Sequence, residues 1–208
     1  MTAPDDSLAA WCDALAAATA TPAGGSAAAI GGALAAALVE MVASLTKARE
    51  SYAGARTEVA AAADQAATLR RRLMELATED ATAFQDVMTA LALPRGTEAE
   101  IAHRNSARAD ALKGAASVQY ELMLLTGQTA ELAEALVERG LRSAVGDAAS
   151  AVFLAAAACR SGYWAIRSNL RRIYEDPEAD RLAAAAIERL EQVEALEHRV
   201  GLRMGERV

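Results

Sequence analysis

The sequence predicts an all-α, single-domain bundle of six to seven helices, two of them buried and rich in Ala and Gly. Three observations carry that reading. Hydrophobic residues fill 53% of the 208 positions but aromatic residues only 4%, and the difference is mostly alanine, which has the best helix propensity and almost no side-chain entropy to lose. Apolar residues recur at three- and four-residue spacing along most of the chain. Long alternating β-branched runs are absent, and no Pro/Ser-rich linker divides positions 1–208, so one domain with one core is expected.

Asp5-Asp6-Ser7 leads into a short opening helix over 8–18, with Leu8, Trp11, Cys12 and Leu15 on one face. Thr21-Pro22-Ala23-Gly24-Gly25 reads as a turn, because Pro fixes φ and paired glycines reach conformations closed to other residues. Ser26 then starts the central helix, where its hydroxyl can accept from an unpartnered first-turn N–H. Ile30, Leu34, Leu38, Met41, Val42 and Leu45 repeat at helical spacing, and the helix should reach about Tyr52 and stop near Gly54. Ala27, Gly31, Gly32, Ala35 and Ala36 leave the rest of its surface bare. An internal glycine costs about 1 kcal/mol relative to Ala, which close contact with a neighbour or ligand must offset. Backbone N–H groups at such a helix start also suit a carboxylate or phosphate, although no Gly-Lys-Ser/Thr follows as in a P-loop.

A long third helix spans 57–92 and ends at Leu93-Pro94-Arg95-Gly96. Thr97 and Glu100 form a capping box for a fourth helix that runs to about Leu125. Thr126-Gly127-Gln128-Thr129 reads as a break, followed by a helix over 130–139 closed by Gly140. Ser143-Ala144-Val145-Gly146-Asp147 is a second turn-to-helix junction, opening an apolar run that continues through Tyr163, Trp164 and Ile166. Ile173-Tyr174-Glu175-Asp176-Pro177 ends it, and 178–200 is a charged amphipathic helix.

Net charge is −7, with Lys47 and Lys113 the only lysines, a balance that disfavours nucleic acid as a partner. Cys12 and Cys159 are isolated, which indicates neither a disulfide framework nor a zinc site and suits a reducing cytoplasm. The first residues, MTAPDDSLAAW, lack the basic start and apolar core of a signal peptide. The stretch between Asp13 and Glu40 carries no charge and is long enough to span a bilayer, but the Pro-Ala-Gly-Gly turn interrupts it, so no membrane association is expected.

Thr21-Pro22-Ala23-Gly24-Gly25-Ser26-Ala27-Ala28, with Gly32-Ala33-Leu34 and Met41-Val42-Ala43-Ser44-Leu45-Thr46, resembles the PGGGSxAA…GALxxALxxMVxxLT signature of the cyclodeaminase/cyclohydrolase family. Asp80…Ala83-Phe84, Leu93-Pro94-Arg95-Gly96-Thr97-Glu98, Arg104, Ala111-Leu112-Lys113, Asp147-Ala148 and Asn169-Leu170 follow in register. Ala23, Gln119, Leu141 and Ala165 depart from the pattern, replacing respectively a Gly, a common Pro and two asparagines. The resemblance implies an all-helical, usually dimeric enzyme that acts on a one-carbon-substituted tetrahydrofolate without a metal or redox cofactor. Having no formiminotransferase portion, the chain is expected to hydrolyse 5,10-methenyltetrahydrofolate to 10-formyltetrahydrofolate. The alternatives are formiminotetrahydrofolate cyclodeaminase, an ammonia lyase, and a non-catalytic folate-binding or interaction protein on the same scaffold.

Hydrolysis of the cationic methenyl carbon needs a base to deliver water, a carboxylate to steady positive charge, and a proton for the departing nitrogen. The resemblance assigns that role to Asp147 first and Asp80 second. It implies that Gly24, Gly25 and Ser26 offer backbone N–H groups to substrate, that Arg49 or Lys113 meets the folate carboxylate, and that Asn169 contributes to substrate binding. His103 and His198 sit in charged runs and receive no role, and Cys159 reads as a buried structural thiol. The glycine-flanked helix start and Asp147 are expected to border one cavity, within one protomer or across two.

Overall fold

The computed structural model describes residues 7–173 and 175–206, so Asp5-Asp6 of the lead-in and Tyr174 of the stop lie outside them. Among the described residues the elements are α1 (Leu8–Ala16), α2 (Gly24–Lys47), α3 (Arg56–Ala92), α4 (Glu98–Arg139), α5 (Val145–Leu170) and α6 (Pro177–Gly205), with 3₁₀ turns at Glu50–Ala55 and Arg142–Ala144. Local chemistry sets several starts. The Ser7 side chain accepts from Ala10 N–H, Thr97 and Glu100 form the reciprocal capping box, and Asp176 accepts from two amides while Pro177 opens α6.

α2 and α5 form the middle of the bundle and run antiparallel. Leu141 N–H, just before α5, donates to Thr46 Oγ1 near the end of α2 at 2.9 Å. Val42 and Ala43 pack in one cluster with Ala148, Ala149 and Val152, whereas Ala28 and Ala29 at the other end of α2 share a cluster with Ala158. α3 lies along α2, and α4 packs against α5.

Two expectations need correction. α2 stops at Lys47 rather than Tyr52, because Tyr52 leaves helical geometry and its hydroxyl accepts from Arg142 N–H, pinning a 3₁₀ turn to the start of α5. α4 runs unbroken through 126–129. There Thr126 and Thr129 donate to carbonyls of their own helix at 2.8 Å, and Gly127 makes room for the Arg189 guanidinium of α6. In α2 the small residues make the buried face. Its alanines and valines lie inside, while Leu34 is 50% exposed and Met41 and Leu45 also face outward. Small side chains let helix backbones approach closely, so the bare face makes the core and the bulkier one is left over.

α2 and α5 are each long and apolar enough to cross a membrane by length and composition, and half of each apolar window is buried inside the bundle.

Two adjacent glycines separate propensity from packing. A Cβ on Gly31 would meet nothing within 4 Å, while one on Gly32 would fall 2.7 Å from Thr126 Cγ2 and 3.2 Å from Leu73. Thr126 is fully buried and hydrogen-bonded, so it has little freedom to yield. In urea unfolding, Gly31→Ala should stabilise the chain by up to about 1 kcal/mol and Gly32→Ala should destabilise it by about 1–3 kcal/mol. Equal effects would contradict this packing.

Candidate active site

The stripe Leu73, Leu76, Ala77, Val87 is the buried face of α3, and Asp80 falls on the same stripe. A half-buried carboxylate in a core register requires partners. Asp80 has two: Ser26 Oγ lies 2.9 Å from Oδ2, and the Gln119 side-chain amide donates to Oδ1 at 2.6 Å. Ser26 and Gln119 are 1% and 2% exposed, so this junction of α2, α3 and α4 lies largely out of water.

The glycine pair works differently from a turn. Gly24 and Gly25 are the first helical residues of α2, and no described glycine has a positive φ. Gly25 is required for space, since any Cβ there would collide with the Gln119 amide and the Asp80 carboxylate. Ser26 is not the cap, a place taken by Ala23 without a side-chain bond; its hydroxyl instead points across to Ala77 O and Asp80. The positive end of the α2 dipole therefore faces a carboxylate of the protein's own.

Arg72 fixes the α3–α4 register beside this junction. Its guanidinium meets Glu79, next to Asp80, and Glu121, two residues beyond Gln119, with Nε to Glu121 at 2.7 Å. The hydrogen bonds to Glu121 and then Glu79 hold it above the ordinary arginine range.

From Asp80 a cavity of about 260 Å³ opens between α3, α4 and α5. Phe84, Val87, Met88, Leu91, Leu112 and Ala115 give it apolar walls, and Ser168, Asn169 and Arg172 add polar groups from the end of α5. Apolar walls with a few convergent polar groups are the usual make-up of a small-molecule site. Arg104 donates twice to Leu91 O, at 3.0 and 3.2 Å, and so secures the α3 end of the wall. A hollow of about 270 Å³ beneath α1, lined by Trp11, Ile30 and Leu34 among others, has Arg70 as its one charged lining residue, and Arg70 is paired with Glu40.

Asp80 and Asn169 thus share one cavity with the Ser26 junction at its inner end, whereas the other expected residues lie apart. Asp147 is exposed in the first turn of α5, where a negative charge complements the helix dipole. That turn sits at the Thr46 end of α2, twenty residues or about 30 Å of helix from Ser26. Within one protomer the two do not border a common cavity, because α2 and α5 run in opposite directions. Arg49 lies at that distant end as well. Lys113 is held by Asp176 and Glu178, each at 3.1 Å, and by Asp110 at 3.6 Å, which keeps its ammonium charged well above the usual range and ties α4 to the start of α6. Among the described residues no three His, Cys, Asp or Glu side chains converge as a metal site would need.

Residues 7–188 match the family model described as formiminotransferase-cyclodeaminase. The chain belongs to this family. It is 33% identical over 133 residues to the methenyltetrahydrofolate cyclohydrolase of Methylorubrum extorquens, a match spanning 64% of this chain and 61% of that relative. The crystal structure of formiminotetrahydrofolate cyclodeaminase from Thermotoga maritima superposes with a TM-score of 0.85 at 29% identity, covering 94% of each chain. The formiminotransferase-cyclodeaminase pattern flagged Asp80 and Asn169, but Gln119 and Arg172 were missed. For Gln119 a signal existed, since it stands in the buried register of Leu112, Ala116 and Met123.

Cys159 is buried as expected, whereas Cys12, read on the same face as Trp11, is not. Cys12 is exposed, while Cys159 is fully buried, and burial pushes its thiol up to about 11. A native sample at about pH 8 should therefore expose one thiol to an aromatic disulfide reagent and two after denaturation; two fast-reacting native thiols would contradict the packing of α5.

Proposed function

We propose that this chain hydrolyses 5,10-methenyltetrahydrofolate to 10-formyltetrahydrofolate at the Asp80 cavity. The observation that carries the reading is a carboxylate on the buried stripe of α3, held by Ser26 and Gln119 and open to an apolar hollow. An anionic group there attracts the cationic methenyl carbon. Asp80 takes a proton as water adds to that carbon, then returns it to the 5-nitrogen as the carbon–nitrogen bond breaks. The hydroxyl proton leaves to solvent as the formyl carbonyl forms.

Ser26 serves both states of the carboxyl. Its single hydroxyl proton has two acceptors at 2.9 Å, Asp80 Oδ2 and Ala77 O. It donates to Asp80 when that group is ionised, and turns to Ala77 O when Asp80 carries the proton and donates in return. Asn169 offers an amide to the pterin, and Arg172, with no carboxylate partner among the described residues, takes the substrate's glutamate carboxylate. No resident cofactor enters this reading.

A second reading is supported by the likeness to the Thermotoga cyclodeaminase over nearly the whole of both chains. In it the same carboxyl protonates the departing ammonia of a formimino group. Pairing of two copies and a cytoplasmic place belong to the proposal too. The outward Leu34, Met41 and Leu45 of α2 and Phe153, Leu154 and Trp164 of α5 are exposed apolar side chains that a second copy would cover.

Loss of methenyltetrahydrofolate absorbance, measured against buffer because that hydrolysis also runs unaided, tests the first reading, and ammonia release from the formimino compound tests the second. Asp80→Asn should lower turnover by about 10²–10⁴-fold with helical content intact. Asp147→Asn should leave it within about twofold, as a surface charge remote from the cavity. The opposite pattern would move the site to the other end of the bundle.

A further inference from the structure

Both oxygens of Asp80 are occupied by donors that differ in kind. Ser26 can turn its proton away, whereas Gln119 meets Oδ1 at 2.6 Å with an amide N–H that an ionised carboxylate only accepts. Gln119 is 2% exposed, and its amide oxygen is buried with no partner. An unsatisfied buried acceptor is unfavourable, and the neighbouring places in this register of α4 are filled by Leu112, Ala116 and Met123, so an apolar residue would suit the packing better. The nitrogen end is what the position retains. Gly25 leaves no Cβ in the way of that bond, and the Arg72 clamp holds α3 and α4 in register beside it.

We propose that Gln119 is a positioning residue for Asp80, fixing the rotation of the carboxylate so that a free lone pair faces the cavity. It does not line the cavity and acts only through Asp80, and the inference rests on Asp80 being the proton-transferring group of the proposed function. Misplacing such a group by about an ångström can slow a reaction by about 10²-fold without changing how tightly substrate is held.

The test compares Gln119→Met, which keeps length and loses the donor, with Gln119→Glu, which keeps shape and places a second carboxyl beside the first. For Gln119→Met the expected result is a fall in kcat of about ten- to hundredfold, with KM and the thermal midpoint close to those of the parent. Gln119→Glu should fall at least as far, and Gln119→Met should add no further loss in an Asp80→Asn background. A folded Gln119→Met chain with parental kcat would overturn the inference, as would a loss confined to KM. If the Gln119 variants do not fold, the side-chain amide resonance of Gln119 in the parent decides. It should shift when Asp80 becomes Asn, and an unmoved resonance overturns the inference. Parental turnover in Asp80→Asn itself would instead overturn the reading of the cavity.

Discussion

A methyl group on Gly25 would overlap both the Asp80 carboxylate and the Gln119 amide, and the candidate site depends on its absence. With no side chain there, α2 presents its positive end directly to a carboxylate of α3, and Gln119 of α4 reaches the same group. Three helices are joined by polar contacts at a place where the surrounding registers are apolar. The Arg72 network keeps two of those helices from sliding past each other, and the Lys113 cluster ties α4 to the start of α6. A carboxylate in this setting has fixed neighbours on both oxygens and an open cavity beyond.

The same economy of side chains explains the bundle. Because α2 and α5 meet through alanine and valine, their backbones come close, and their bulkiest apolar residues have no room between them. Leucine, methionine, phenylalanine and tryptophan are therefore displaced to the outer face, the reverse of the usual amphipathic arrangement. Two helices that are apolar all round can pass for membrane spans by composition while one side of each forms the core.

Much of this was legible in the chain. Helix propensity and spacing gave the class and the approximate bounds of α1, α3, α5 and α6, and the Thr97–Glu100 box marked the start of α4. The misreadings have a common physical source, since Gly127, Ser26 and Gly25 were read for local backbone chemistry but are set by contacts with residues far along the chain. Gly127 looked like a break and is a slot for Arg189; Ser26 looked like a cap and is a donor to α3. Asp80 and Gln119 each stood in a core register, and a polar residue in such a place calls for a partner. Their pairing needed the packing of α3 against α4, which spacing alone does not supply. Asp147 was favoured by the resemblance to the family's motif, and only the opposite directions of α2 and α5 reveal how far it lies from Ser26.

Hydrogen exchange with and without a saturating folate that does not turn over tests the location of the site most directly. New protection is expected in the cavity-lining parts of α3, α4 and α5, around Asp80 to Leu91, Leu112 to Gln119 and Ser168 to Arg172, with the start of α5 around Asp147 unchanged. Protection confined to the Asp147 and Arg49 end, with the Asp80 cavity exchanging as before, would contradict this placement of the site.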